Sequence, residues 1–96
     1  MSQQEIENII IEYLKVYNPK KIGIFGSFSR QEQSSGSDID ILIKFKITPS
    51  LIQLIRIEND LSEKLGYKVD LVTEASIKSR VIKEHIKNDL KIIYYA

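Results

Sequence analysis

No cysteine occurs in the 96 residues, which excludes disulfides and thiolate metal sites. One histidine leaves too few nitrogen ligands for zinc chemistry. Neither sign of charge is in excess: 14 Lys and Arg stand against 13 Asp and Glu, a net charge of +1. A protein that grips a nucleic-acid backbone by charge carries a basic surplus, so direct nucleic-acid binding is not expected. No apolar run approaches the roughly 20 residues needed to cross a bilayer. The opening MSQQEIENII is acidic, unlike the basic start of a secretory signal. These absences point to a cytoplasmic protein with no membrane partner. What remains is an ordinary globular balance, 43% apolar and 28% charged, on a chain that reads as one domain over residues 1–96.

The apolar pattern alternates between helical and strand periods. Ile6, Ile9, Ile10, Tyr13, Leu14 and Tyr17 form a helical stripe, with Ser2 as cap and Asn18-Pro19 as stop. Lys21 to Phe25 reads as a short buried strand closed by Gly26-Ser27. Ser27 to about Gln33 has room for one or two helical turns, and Ser34-Ser35-Gly36-Ser37 is a loop. Asp38 to Phe45 alternates as a second strand. Thr48-Pro49 has the form of a helix start, a hydroxyl cap followed by proline. Leu54, Ile57, Leu61 and Leu65 give that helix its buried face, and Gly66 stands at its end. Leu51, Ile52 and Ile55 make its apolar surface wider than one stripe requires, which suits either a deep core helix or a partner surface. Tyr67 to Thr73 is a third strand. A last helix starts near Ser76 or Ser79 and buries Ile77, Val81, Ile82 and Ile86, while Lys91 to Tyr95 suits either a strand or an ordered tail. The expected fold class is α/β: a small mixed central sheet of three to four strands flanked by helices.

Chemistry concentrates on carboxylates. Asp38 and Asp40 are two residues apart on a strand and therefore project together, while Ile39, Ile41 and Ile43 take the opposite face. Adjacent carboxylates repel unless a cation or a shared proton relieves them. A third, Asp70, lies in another apolar run and would complete a hard-oxygen cage suited to Mg²⁺, with two ions as in metal-dependent phosphoryl transfer. Gly26-Ser27 at a strand end supplies close backbone approach and free N–H groups, and Arg30 follows within a turn as a guanidinium for the same phosphate. Each element alone has an ordinary reading: a solvated strand end, a turn, a surface charge, a carboxylate beside Lys68. An EF-hand is disfavoured because its twelfth position, counted from Asp38, is Pro49. No Gly-Lys-Ser/Thr follows Gly26, which rules out a Walker loop. His85 and the basic run Lys78, Arg80, Lys83, Lys87 read as a solvated helix face.

In combination these residues resemble a known family. FGSFSRQEQSSGSDIDILIKF is similar to the G-S-x(10)-D-x-D signature of the polymerase-β-type nucleotidyltransferase superfamily, and nearly the whole chain resembles its minimal nucleotidyltransferase (MNT) group. KVDLVTEASIKSRVIKEHIKNDLKIIYYA is similar to that group's third-carboxylate strand and closing helix. The resemblance implies the nucleotidyltransferase fold, with Asp38, Asp40 and Asp70 as catalytic and metal-binding residues. It also implies that Gly26, Ser27 and Arg30 bind the nucleotide. Ser29 and Gln31 stand where the family usually has alanine and glycine. The implied activity is that of an antitoxin that transfers AMP from ATP to a tyrosine of a partner HEPN-domain ribonuclease toxin.

Two other functions fit the same residues. A non-catalytic module could neutralise its partner by occupancy alone. A small-molecule or tRNA-end nucleotidyltransferase would need an acceptor-recognition segment, and none is recognisable. Nucleotide preference, acceptor residue and self-association are left open by the sequence.

Overall fold

The computed structural model describes residues 2–26, 28 and 38–96. Helix α1 (Gln3–Leu14) starts where the sequence places its cap: Ser2 Oγ accepts the Glu5 N–H and Glu5 Oε1 accepts the Ser2 N–H, both at 3.1 Å. This reciprocal pair satisfies two of the donors a helix start leaves free. A 3-10 turn over Lys15–Tyr17 follows, closed by Asn18 in the left-handed region. Strand β1 (Pro19–Phe25) opens on its proline, a strand position that needs no ladder donor. The remaining elements are β2 (Ile39–Phe45), α2 (Leu51–Leu65), β3 (Val69–Thr73), a 3-10 turn at Glu74–Ser76, α3 (Arg80–Asp89) and β4 (Lys91–Tyr95).

The four strands lie in the order β3-β2-β1-β4, with β2 and β3 parallel and the other pairs antiparallel. The segment 91–95 is therefore a strand, paired with β1. Helices α1 and α2 cover one face. Ile6, Ile10 and Leu14 of α1 and Ile57, Leu61 and Leu65 of α2 close on Ile22, Ile24, Ile39, Ile41 and Ile43 in a single core. Alternation along β2 then sends Asp40, Leu42 and Lys44 to the second face. The end of α3 lies over that face, where Leu90 packs so closely on Gly23 that a Cβ there would meet Leu90 Cδ1 at 2.6 Å.

Three details differ from the sequence reading. Helix α2 is capped by Ser50, which accepts the Gln53 N–H at 3.2 Å, and not by Thr48 with proline in the first turn. Either hydroxyl could cap; Ser50 stands directly before the first helical residue. Val81 and Ile82 are exposed at 64% and 54%, not buried. Helix α3 stands off the sheet: Ile77, Ile86 and Leu90 line a cavity of ≈ 350 Å³ together with Lys21 and Leu42, and neither Val81 nor Ile82 lines it. Leu51, Ile52 and Ile55 of α2 are also exposed, so the excess apolar surface is not that of a deep core helix. The helical turns expected between Ser27 and Gln33 lie outside the described residues.

Gly66 ends α2 at φ 73, with nothing within 4 Å of a would-be Cβ. Gly66→Ala is therefore a test of backbone strain without a clash. We expect a loss of about 1 kcal/mol, seen as a fall of roughly 4–8 °C in the thermal midpoint.

Candidate active site

Strand register builds the site. In the parallel β2–β3 pair Asp40 stands directly beside Asp70, and in the antiparallel β1–β2 pair it stands beside Phe25, the residue before Gly26. Gly26 adopts φ 76, and a Cβ on it would lie 2.5 Å from Asp40 Oδ2. The glycine turn thus rests on the carboxylate. Glycine is needed there twice over, for its backbone angle and for the missing side chain.

Burial, then the charge and hydrogen bond of Asp70, then the charge of Asp38 push the Asp40 carboxyl up to about 6. A hydrogen bond between two carboxyl groups needs one proton, and Asp40 is the group whose charged form these surroundings disfavour. Asp38 precedes β2 by one residue and acts on Asp40 through its charge. Among the described residues no three of His, Cys, Asp and Glu close into a finished metal cage. The donor chemistry nevertheless fits a hard cation: crowded carboxylate oxygens, with a mutual repulsion that Mg²⁺ would relieve. The structure brings Asp40, Asp70 and Gly26 together with Asp38 at their rim; Ser27 and Arg30 lie outside the described residues.

Two supporting residues escape the sequence reading. Strand β3 is a sheet edge, so its outer N–H groups need partners. Ser62 Oγ accepts the Val69 N–H at 3.0 Å and Glu58 Oε2 accepts the Leu71 N–H at 2.8 Å. Asp70 lies between these two bonds, held by α2 on both sides. Glu58 and Ser62 are four apart on a helix, and the Ser62 hydroxyl also donates to the Glu58 carbonyl at 2.8 Å. Their shared face is legible from spacing; that an edge strand lies along it is not.

Comparison with known proteins bears on this geometry. Residues 8–96 match the family model described as "Polymerase beta, Nucleotidyltransferase". The chain belongs to that family. Among its relatives, a Methanocaldococcus jannaschii chain provisionally named a protein adenylyltransferase is 47% identical over 90 residues, covering 90% of this chain and 92% of the relative. A solved structure of a toxin–antitoxin with AMP-PNP superposes with a TM-score of 0.84 at 30% identity, covering 94% of this chain and 73% of the other. Another, of a tri-AMPylated HEPN toxin of Shewanella oneidensis in complex with its MNT antitoxin, superposes with a TM-score of 0.81 at 29% identity, covering 99% and 74%. Among its described residues this nucleotidyltransferase thus has a mixed four-stranded sheet flanked by helices, as expected of the minimal members of its family. No helix of its described residues is long and apolar enough to cross a membrane.

The raised Asp40 carboxyl has a thermodynamic consequence. Its folded-state value, about 6 against an ordinary 3.8, penalises the charged form in the native state. The penalty is absent below about pH 4, grows as pH rises toward 6 and is complete above it. Asp40→Asn removes it and keeps an N–H donor for Asp70. Without metal, we expect this variant to be more stable than the parent at pH 8 by on the order of 1 kcal/mol, after allowing for solvent screening. The difference should close as pH falls toward 4 in paired denaturation curves.

Proposed function

We propose that this nucleotidyltransferase is a protein adenylyltransferase that moves AMP from ATP to a tyrosine hydroxyl of a partner HEPN-domain toxin, in the cytoplasm. The observation that carries the reading is the Asp40–Asp70 pair in register beneath the Gly26 turn. Its support is the printed activity of the Methanocaldococcus relative and the AMPylated toxin held by the Shewanella antitoxin. Asp38, Asp40 and Asp70 would hold magnesium, with two ions the number that three carboxylates serve. Bound there, magnesium would neutralise charge on the triphosphate and on the leaving pyrophosphate.

The chain's own residues have distinct tasks in this scheme. The Gly26 turn, with Ser27 and Arg30, binds the triphosphate and holds the α-phosphorus in line with the acceptor. The acceptor oxygen forms a bond to that phosphorus as the bond to pyrophosphate breaks, and Asp70 takes the hydroxyl proton. The partner approaches across the second sheet face, where α3 leaves Val81 and Ile82 uncovered. That apolar pair, on the helix overlying the acidic face, is the docking surface we assign to the toxin.

Incubation with ATP labelled at the α-phosphate, magnesium and the partner tests the scheme. Label should appear on the partner, and Asp38→Asn or Asp40→Asn should cut transfer at least about 100-fold. Toxin silencing that survives both changes, with no label transferred, would establish the occupancy reading instead. A Val81→Glu, Ile82→Glu double variant should lower transfer to the partner about tenfold or more. Its affinity for magnesium–nucleotide should stay the same, since neither side chain lines the carboxylate site.

A further inference from the structure

Glu7 is the one charged side chain buried among the described residues, at 5% exposure, and the proposed chemistry does not use it. Its Oε2 accepts a hydrogen bond from Lys91 Nζ at 2.7 Å and another from Gln3 Nε2 at 3.2 Å. The same Gln3 nitrogen donates to the carbonyl of Phe28 at 3.4 Å. Phe28 is fully buried, with its ring edge-on to Tyr67, and lies two residues beyond Gly26. A continuous polar relay therefore runs from the first residue of β4, through α1, to the backbone of the glycine turn.

The chemistry of each member fits a fixed role. A primary amide nitrogen has two hydrogens, and Gln3 faces two acceptors with it, the Glu7 carboxylate and the Phe28 carbonyl. Turning the amide over would set oxygen against both. The Glu7 charge makes that orientation unfavourable to reverse, and Lys91 neutralises the carboxylate so that it does not repel a nearby phosphate. A buried carboxylate costs stability unless it is paired and hydrogen-bonded, and a relay of two side chains for one carbonyl is more than simple packing requires. Gly26 can adopt its angle only because it is permissive, and a permissive residue needs restraint from its neighbours. The buried Phe28 ring supplies one restraint, and the Gln3 bond to its carbonyl supplies a second at right angles to the first in kind: directional where the ring is not.

We infer that Gln3, oriented by Glu7 and Lys91, is a positioning residue that sets the Gly26 turn against the triphosphate. The inference rests on the nucleotide-binding role proposed for that turn. Gln3 touches neither the phosphate nor the reacting atoms; it acts through the Phe28 carbonyl.

Gln3→Met keeps the length of the side chain and removes its donor, on a partly exposed helix start where folding is not at risk. Affinities of the full chain for magnesium–AMP-PNP and for AMP, with thermal midpoints in the absence of nucleotide, provide the test. A loosened turn should weaken AMP-PNP binding about fivefold, the worth of one ordinary hydrogen bond. AMP lacks the β- and γ-phosphates, so its affinity should change less than about twofold. The midpoint should move by no more than a few degrees. An unchanged ratio of the two affinities, or equal losses for both ligands, would overturn the positioning role. If the parent chain itself binds no magnesium–AMP-PNP, the nucleotidyl-transfer scheme falls and this inference with it. If the parent binds and Gln3→Met behaves identically, only the inference falls.

Discussion

Two negative charges held side by side in a parallel strand pair are the constraint around which this molecule is organised. Asp40 and Asp70 are neighbours because Ile39, Ile41 and Val69 are buried on the opposite face, which allows no other register. A slip of one residue would turn the isoleucines outward and the carboxylates into the core. The core therefore enforces the burial and, after it, the repulsion that together lift the Asp40 carboxyl to about 6. Below about pH 6 the free protein relieves that repulsion with a proton on Asp40. Under the proposed function a magnesium-bound one relieves it with metal, so what burdens the unliganded fold is the source of affinity in the liganded one.

The neighbouring elements share the work of holding this pair. Helix α2 fastens the edge strand on both sides of Asp70 through Glu58 and Ser62. Helix α1 reaches the opposite wall, where Gln3 meets the Phe28 carbonyl and Glu7 meets Lys91. The two helices on the core face thus each send polar side chains round to the end of the sheet that carries the carboxylates and the glycine turn. The second face is treated differently. There α3 touches down through Leu90 and otherwise stands off, with the Lys21–Glu74 ion pair at 2.8 Å bordering the space beneath it. A hydrogen bond from Lys21, aided by the charges of Lys21, Lys44 and Lys83, holds the Glu74 carboxyl below its ordinary value against the opposing effect of burial. Under the proposed function, the face that admits the acceptor is the sparsely packed one.

Much of this was legible in the residues alone. The stripe from Ile6 to Tyr17, the strand ending at Phe25, the alternation after Asp38 and the glycine closing α2 all correspond to observed elements. They are legible because period and caps are local properties, fixed by residues a few places apart. The errors were also physical. Val81 and Ile82 sit at helical spacing with Ile86, and spacing says which residues share a face but not whether anything covers it. Thr48 and Ser50 offer the same hydroxyl two residues apart, and the backbone of the approach to the helix chose between them.

Sequence by itself determined the chemistry available: three carboxylates, a Gly-Ser turn, no thiol, one imidazole and no excess of charge. It also determined which side chains share a strand face, since that follows from a two-residue repeat. Only the tertiary structure decided that Asp40 meets Asp70, because the residues between them must first fold through α2 and return in parallel register. The same holds for Gly26 against Asp40 and for Gln3 against Phe28. Contacts of that kind are set by how whole elements pack, and packing depends on the summed shape of the core rather than on any motif within it.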